Sequence, residues 1–333
     1  MLNRRDFLKG SFLFAGYALT GFNGISVASG IKDSDVRSIT LEITYTTEIL
    51  RPPKKKGIAV WIPLPKTDQE QEISSLVIDS PVKYRVEESG PNRMIYIRTD
   101  TFNEGEKIQL RYILKRRATG VIKLSEDPLQ YLKPSEWERW DSTIAAFVDS
   151  VVGKEKIPVR IGRLLYDAII DRSTYVHEVC GRGVSALFFE EKTGRCDEFH
   201  ALFRSMMMYK GIPVKWEQGV ALPYPSRIKK EGEFEADCIS AHSWVRFYIG
   251  NGRWFPVDVS EAKRRPDLRN YYFGRLASNR MKVSTGRGIM LSPQQQGIIN
   301  TFAYTYIEAG GLPAIYGHNY KNIIRYKLLD VEV

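Results

Sequence analysis

The chain has 333 residues and a formal net charge of +10, from 49 Lys and Arg against 39 Asp and Glu. Its 43% hydrophobic and 26% charged residues can bury a core, which excludes disorder over most of the length, and three cysteines exclude a disulfide-framework mini-protein. Beyond the first thirty residues no stretch reaches the ~18 apolar residues of a membrane span, so the body of the chain reads as soluble and globular.

The first thirty residues stand apart. Asn3-Arg4-Arg5-Asp6-Phe7-Leu8-Lys9 leads into the apolar segment 11–19, which gives way to Ser26-Val27-Ala28. A basic start, a short apolar stretch and small residues before a break make 1–28 a signal peptide. The paired arginines followed by Phe-Leu-Lys resemble the twin-arginine address that exports folded proteins. Glycines at 10, 16, 21 and 24 oppose the alternative of a stable anchoring helix, since each costs about 1 kcal/mol in a helix interior. The expected location is the periplasm or another exported site. No membrane span is expected after signal removal, and no nucleic-acid partner.

Residues 38–46 alternate, with Ile39, Leu41, Ile43 and Tyr45 on one face and Thr40, Glu42, Thr44 and Thr46 on the other. Period two marks a strand with one buried face. Ile108, Leu110, Tyr112 and Leu114 repeat it, and short apolar runs at 58–62 and 94–97 lie between, punctuated by Pro52-Pro53, Gly90-Pro91 and Gly105. These strands predict a β-sandwich over 35–118. From Pro134 the period changes: Trp137, Trp140, Ile144 and Phe147, then Ile161, Leu164, Leu165, Ala168 and Ile169, follow helical spacing. A third helix is expected over 196–209, stopped by Gly211 and Pro213. Strands at 214–221, 240–249 and 253–259 complete an α+β unit assigned to 134–333.

Cys196 opens the third helix, where unpaired N–H groups and the positive end of the dipole favour a thiolate and can hold an oxyanion. Asp197 and Glu198 pull the other way, and a free buried Cys is most often just a small hydrophobe. His242 lies in one strand of a hairpin and Asp258 ends the other, around Gly250-Asn251-Gly252. A base with an orienting carboxylate is what a cysteine nucleophile requires. The two meet only if the register has the right parity. A two-residue turn would set Val245 opposite Asp258 and turn the carboxylate away; a three-residue loop sets Trp244 opposite Asp258 and brings both to one face. The longer loop, with a glycine in a left-handed bulge, is expected. His200, one turn from Cys196, is an alternative base. Cys196, His200, Cys238 and His242 have the composition of a zinc set, but an extended 238–242 separates its ends by about 13 Å, and neither metal nor cofactor is expected. Cys180 and Cys238 could pair in an oxidising compartment.

Thr193-Gly194-Arg195-Cys196-Asp197-Glu198-Phe199-His200, His242-Ser243-Trp244-Val245 and Trp254-Phe255-Pro256-Val257-Asp258 resemble, in order, the cysteine, histidine and aspartate segments of the transglutaminase-like superfamily. Tyr272-Phe273-Gly274, Asn279-Arg280 and Gly286-Arg287 extend the resemblance, and Trp61-Ile62-Pro63-Leu64-Pro65 is similar to the N-terminal region of exported bacterial members. It implies a papain-like catalytic core with a Cys196–His242–Asp258 triad, and it does not fix the reaction. A peptide or protein substrate in the cell envelope is expected, with hydrolysis favoured over transfer because nothing in the sequence identifies an amine-binding site and water is always available. Glu198 departs from the Asp common at that position. A cross-linking acyltransferase, or a non-catalytic binding module of the same fold, are the alternatives.

The export reading has a direct test. The double variant Arg4→Lys, Arg5→Lys should accumulate as uncleaved precursor inside the cell, as seen by fractionation and immunoblot; normal export would mean that another route carries the chain.

Overall fold

The computed structural model describes residues 30–177 and 180–333, so the expected signal peptide at 1–28 lies outside the described residues. Strands β1 (Ser38–Ile49), β2 (Ile58–Pro63), β3 (Gln71–Asp79), β4 (Tyr84–Ser89), β5 (Asn92–Thr99), β6 (Lys107–Arg117) and β7 (Ile122–Lys123) come first. Helices α1 (Ser142–Val152) and α2 (Pro158–Arg172) follow, then β8 (Thr174–Tyr175), α3 (Ser185–Glu191), β9 (Thr193–Gly194) and α4 (Cys196–Tyr209). Next are β10 (Val214–Ala221), β11 (Glu231–Glu235), β12 (Ala241–Tyr248), β13 (Arg253–Val257) and α5 (Val259–Arg264). The chain ends with β14 (Arg280–Thr285), β15 (Tyr306–Ala309), β16 (Leu312–Pro313) and β17 (Tyr320–Glu332). Among the described residues no helix is long and apolar enough to cross a membrane.

Two five-stranded sheets, ordered β11-β17-β1-β6-β3 and β16-β15-β2-β5-β4, enclose one apolar core. The alternating face of β1 supplies Ile39, Leu41, Ile43 and Tyr45 to it. β2 reads as an unbroken apolar run because both its faces are covered. Val60 and Ile62 point into the sandwich, while Ala59 and Trp61 pack under the segment carrying Ile289, Leu291, Ile299 and Phe302. A third sheet, β14-β10-β12-β13-β7, packs with the helices around a second core built from Phe199, Leu202, Phe203 and Met206 of α4 and Val245, Phe247 and Val257 of the sheet.

Two sequence expectations are corrected here. The assignment of everything from 134 to 333 to one catalytic unit does not hold, because β17 inserts between β11 and β1, with Tyr45 opposite Ile324 and Ile43 opposite Tyr326, and β15 pairs with β2. The sandwich begun at residue 38 is closed by the C-terminus, since β1 needs a partner on each edge to satisfy its backbone groups. The helix expected from Pro134 starts at Ser142, where Asp141 caps it by accepting the Ile144 N–H at 2.9 Å. Trp137, upstream of that cap, instead covers the Arg287 guanidinium.

Buried charge joins the two units. Glu70, from the sandwich, binds Arg116 at 3.2 Å and the Arg246 guanidinium of β12, and Lys282 of β14 lies 3.4 Å away. Arg246 also reaches Glu217 of β10 at 3.2 Å. Burial alone would raise the Glu70 carboxyl, but Arg246, Arg116 and Lys282 outweigh it and hold the group well below the usual carboxylate range. Removing one member of such a cluster strands the others without water. Glu70→Ala should therefore cost about 3–5 kcal/mol, read as a lowered urea midpoint at unchanged slope; a loss below about 1 kcal/mol would show that the two units do not depend on this contact.

Candidate active site

Helix α4 begins at Cys196 because the residues before it cannot continue it backwards. Arg195 is extended at φ −114°, ψ −167°, and Glu198 reaches back to accept the Arg195 N–H at 2.9 Å, which is half of a capping box. The same carboxylate accepts the N–H of Gly183 at 2.8 Å and that of Arg182, so the 181–183 loop is held against the helix start. Gly194 permits this approach: a Cβ there would lie 2.6 Å from the Cβ of Glu198. Glu198 thus serves the backbone around Cys196. Asp197 is engaged by the Ser243 hydroxyl at 2.9 Å. The Cys196 Sγ is buried, 3.8 Å from the carbonyl of Ala241 and 3.9 Å from Asp197 Oδ1.

The β12–β13 hairpin has the register of the three-residue loop. Val245 faces Val257 and Phe247 faces Phe255, which carries Trp244 opposite Asp258. Ile249 and Arg253 close the loop by a 3.0 Å bond, and Gly250, Asn251 and Gly252 all have positive φ, at 91°, 55° and 71°. Three left-handed residues in a row suit two glycines and an Asn. His242 and Asp258 accordingly share a face, with His242 Nε2 2.7 Å from Asp258 Oδ2. Cys196 lies beside the same strand, its Sγ 3.8 Å from the carbonyl of Ala241, the residue before His242. The structure brings the three sequence-predicted residues together.

Asp258 divides its two oxygens. Oδ1 accepts from the Glu261 N–H at 2.9 Å and the Ser260 hydroxyl at 3.0 Å, capping α5. Oδ2 takes His242 and the Arg280 guanidinium, the latter at 2.6 Å. Strand-end cap and histidine partner are one and the same residue. Burial pushes the carboxyl up, but His242 and Arg280 overcome it and hold Asp258 well below the ordinary carboxylate range. Burial likewise pulls His242 down, yet the charge and hydrogen bond of Asp258, with Cys196 adding to them, raise it to about 10.

His200 is also buried beside Asp258, but its Nε2 accepts the Val259 N–H at 3.1 Å, while Oδ1 of Asp258 is 3.4 Å away. The shorter contact requires the lone pair on Nε2, so the proton sits on Nδ1, near the Ser243 hydroxyl. Cys180 and Cys238 form a disulfide with Cα atoms 5.4 Å apart, which takes Cys238 out of the four-residue metal set. Among the described residues no group of three or more donors is placed to hold a metal. The disulfide ties the 180–183 loop to the turn before β12, and Arg195 donates to the carbonyls of Cys238 and Ile239 at 2.7 and 2.5 Å.

Sequence reasoning does not place Arg280 in the site; Asn279-Arg280 enters there only as part of the family resemblance. Its signal was an Arg opening a strand otherwise bound for the interior. The side chain is buried, over the rings of Trp244 and Tyr272 at 5.2 and 5.8 Å. A cleft of about 610 Å³ opens beside His242 and Arg280, walled by Leu222, Tyr224 and Arg264 on one side and by β11 of the sandwich on the other.

Residues 145–259 match the family model of the transglutaminase-like superfamily. An uncharacterized protein of Haemophilus influenzae is 23% identical over 321 residues, covering 82% of this chain and 86% of that one. The uncharacterized protein YebA of Bacillus subtilis is 29% identical over 85 residues, 25% of this chain and 12% of that one. The crystal structure of a candidate cysteine protease from Cytophaga hutchinsonii is similar with a TM-score of 0.57 at 15% identity, covering 90% of this chain and 92% of that one. That likeness is one of fold.

The His242 electrostatics predict a pH dependence of stability. Its folded value lies above the ordinary 6.5, so the stability it adds is complete below about pH 6.5 and is lost as pH rises through about 10. The difference in unfolding free energy between this chain and His242→Gln should be largest near pH 6 and shrink toward pH 10, measured by urea denaturation at pH 6, 8 and 10. A difference that grows with pH would show that His242 is neutral in the folded state.

Proposed function

We propose that the chain, whose residues 145–259 match the family model of the transglutaminase-like superfamily, is an exported cysteine-dependent acyl enzyme acting on peptide or glutamine-type amides. The observation that carries the reading is the convergence of Cys196, His242 and Asp258: His242 Nε2 is held on Asp258 at 2.7 Å, and the Cys196 Sγ lies 3.8 Å from the carbonyl of the residue before His242. With the proton already held on His242, the Cys196 sulfur attacks the substrate carbonyl carbon. The resulting oxyanion meets the first-turn N–H groups of α4, including that of Cys196. Collapse expels the amine, which leaves with the proton from His242, and the acyl group stays on sulfur as a thioester. Water then attacks with His242 as base, the acid departs and the thiol is restored. Asp258 keeps the ring oriented, and Arg280 keeps Asp258 ionised. The engagement of His200 by the Val259 amide supports His242 as the base.

Water is taken as the acyl acceptor because it needs no dedicated site; transfer to a primary amine is the competing outcome. Export is supported by the signal-like 1–28 segment and by the Cys180–Cys238 disulfide, a bond that persists in oxidising compartments.

Turnover of a peptide amide by variants tests the mechanism. Cys196→Ala should abolish it with the circular dichroism spectrum unchanged, and His242→Ala should lose nearly as much, on the order of 10⁴-fold or more. Asp258→Asn should be milder than either. Full activity in Cys196→Ala would leave the binding-module reading. Amine incorporation outrunning hydrolysis would keep the three residues and reverse the choice of reaction.

A further inference from the structure

We propose that Arg227 is an anion-binding residue of the substrate cleft, and that the substrate is an acidic peptide whose carboxylate it takes. The proposal rests on the catalytic reading above and gives that site a substrate class. The cleft beside His242 meets a second hollow of about 430 Å³, and Tyr224, Arg227 and Arg264 line both. The second hollow also contains Tyr175, which stands opposite Gly194 in the β8–β9 pair, just ahead of Cys196. The Tyr175 ring packs 6.0 Å from that of Phe199, in the first turn of the helix that Cys196 opens. Arg227 therefore stands where a hollow on the His242 side joins one on the Cys196 side.

The chain around Arg227 leaves its side chain no other direction. Pro225 opens a single 3₁₀ turn over Pro225–Arg227, and Asp33 takes the Ser226 N–H at 2.9 Å. Ile228 is extended, at φ −66° and ψ 131°, and is fully buried in the sandwich core. Successive side chains of an extended segment alternate faces, so with Ile228 turned inward, Arg227 and Lys229 both turn out into the cleft.

Charge in these walls is unevenly spent. Glu261 is held by Arg264 and by the Tyr224 hydroxyl, Glu233 is held by Arg325 at 2.5 Å, and Glu231 stands opposite Lys327. Arg280 is spent on Asp258. In the second hollow Arg265 is held by Asp33 at 2.8 Å and by Asp267 at 2.7 Å, which also engages the carboxylate whose field reaches Arg227. Among the described residues no carboxylate lines that hollow, and no ion pair takes Arg227 or Lys229. The acids of the wall have cations of their own, and two cations are left over. Charge complementarity thus favours an anion brought in by the ligand. The Arg227 guanidinium offers a fork of N–H groups that fits a carboxylate bidentately, and Lys229 adds a point charge beside it. Leu222 and Phe234 of the same cleft receive the apolar part of the peptide.

The test reads alkylation of Cys196, the free cysteine of the described chain, by two sets of peptide probes. Tripeptidyl chloromethyl ketones carry the peptide on the acyl side of the reacting carbon, and N-bromoacetyl tripeptides carry it on the other. Sulfur displaces chloride or bromide and forms a C–S bond. In each set a Glu, or the isosteric Gln, replaces Ala at each position in turn. The bromoacetyl set is made with free and with amidated C-termini, which separates a side-chain carboxylate from a terminal one. Rates are followed by mass spectrometry and divided by the iodoacetamide rate of the same variant. At one position Glu, or the free C-terminus, should label about tenfold faster than its neutral counterpart. Arg227→Gln should erase that ratio, and Arg227→Glu should reverse it in favour of a Lys probe. Lys54→Glu, the same charge change at an exposed lysine outside the cleft, should leave it in place. Equal rates for acidic and neutral probes throughout, or an acid preference that survives both Arg227 variants, would overturn the anion site; iodoacetamide labelling faster than in His242→Gln would then leave the catalytic reading standing. Iodoacetamide labelling no faster than in His242→Gln would overturn the catalytic reading and this one with it.

Discussion

The arrangement depends on one buried carboxylate. Asp258 sits where β13 ends and α5 begins, and each of its oxygens has a separate task. Oδ1 caps α5 through the Glu261 N–H and the Ser260 hydroxyl. Oδ2 holds His242 and Arg280. An unpaired carboxylate in this position would be prohibitively desolvated, and the two cations make its ionised form the stable one. The ring of His242 is then fixed in direction and in charge by the group that also fixes the helix behind it. A substitution at Asp258 cannot disturb orientation alone.

The same economy appears at the start of α4. Glu198 satisfies the Arg195 amide and two amides of the 181–183 loop, and the disulfide fastens that loop to the turn leading into β12. Cys196 and His242 therefore reside on elements whose approaches are tied to each other as well as to the core. Asp197, which from the sequence should oppose a negative sulfur, spends its carboxylate partly on Ser243. His200 supports the junction from inside, receiving the Val259 amide immediately after Asp258.

The sandwich is part of the site's surroundings, not an appended module. β17 returns to pair with β1 on one side and β11 on the other, which carries β11 to the cleft beside His242. Glu70, Arg116, Arg246, Glu217 and Lys282 interlock the sandwich and the β14-β10-β12-β13-β7 sheet. Each charge there depends on partners from another segment, so the interface is specific in register as well as favourable in energy.

Local patterning determined much in advance. Period two gave β1 and β6, the bounds of α4 and β10 were readable from spacing and from the Gly211–Pro213 stop, and parity around Gly250-Asn251-Gly252 decided which face Asp258 would occupy. These follow from neighbours within a few residues, where backbone geometry alone sets direction. Tertiary structure decided what joins across distance. β17 shows clean alternation of Tyr320, Asn322, Ile324, Tyr326 and Leu328 with exposed or half-buried partners, yet nothing local states that its mate is β1, almost three hundred residues earlier. Nothing local pairs Arg280 with Asp258, or tells His242, which holds Asp258 Oδ2, from His200, which takes the Val259 amide. A sequence fixes which groups are present and which way each faces on its own element; which charge meets which in the dry interior is settled when the elements pack, because only there does an unmatched partner become costly.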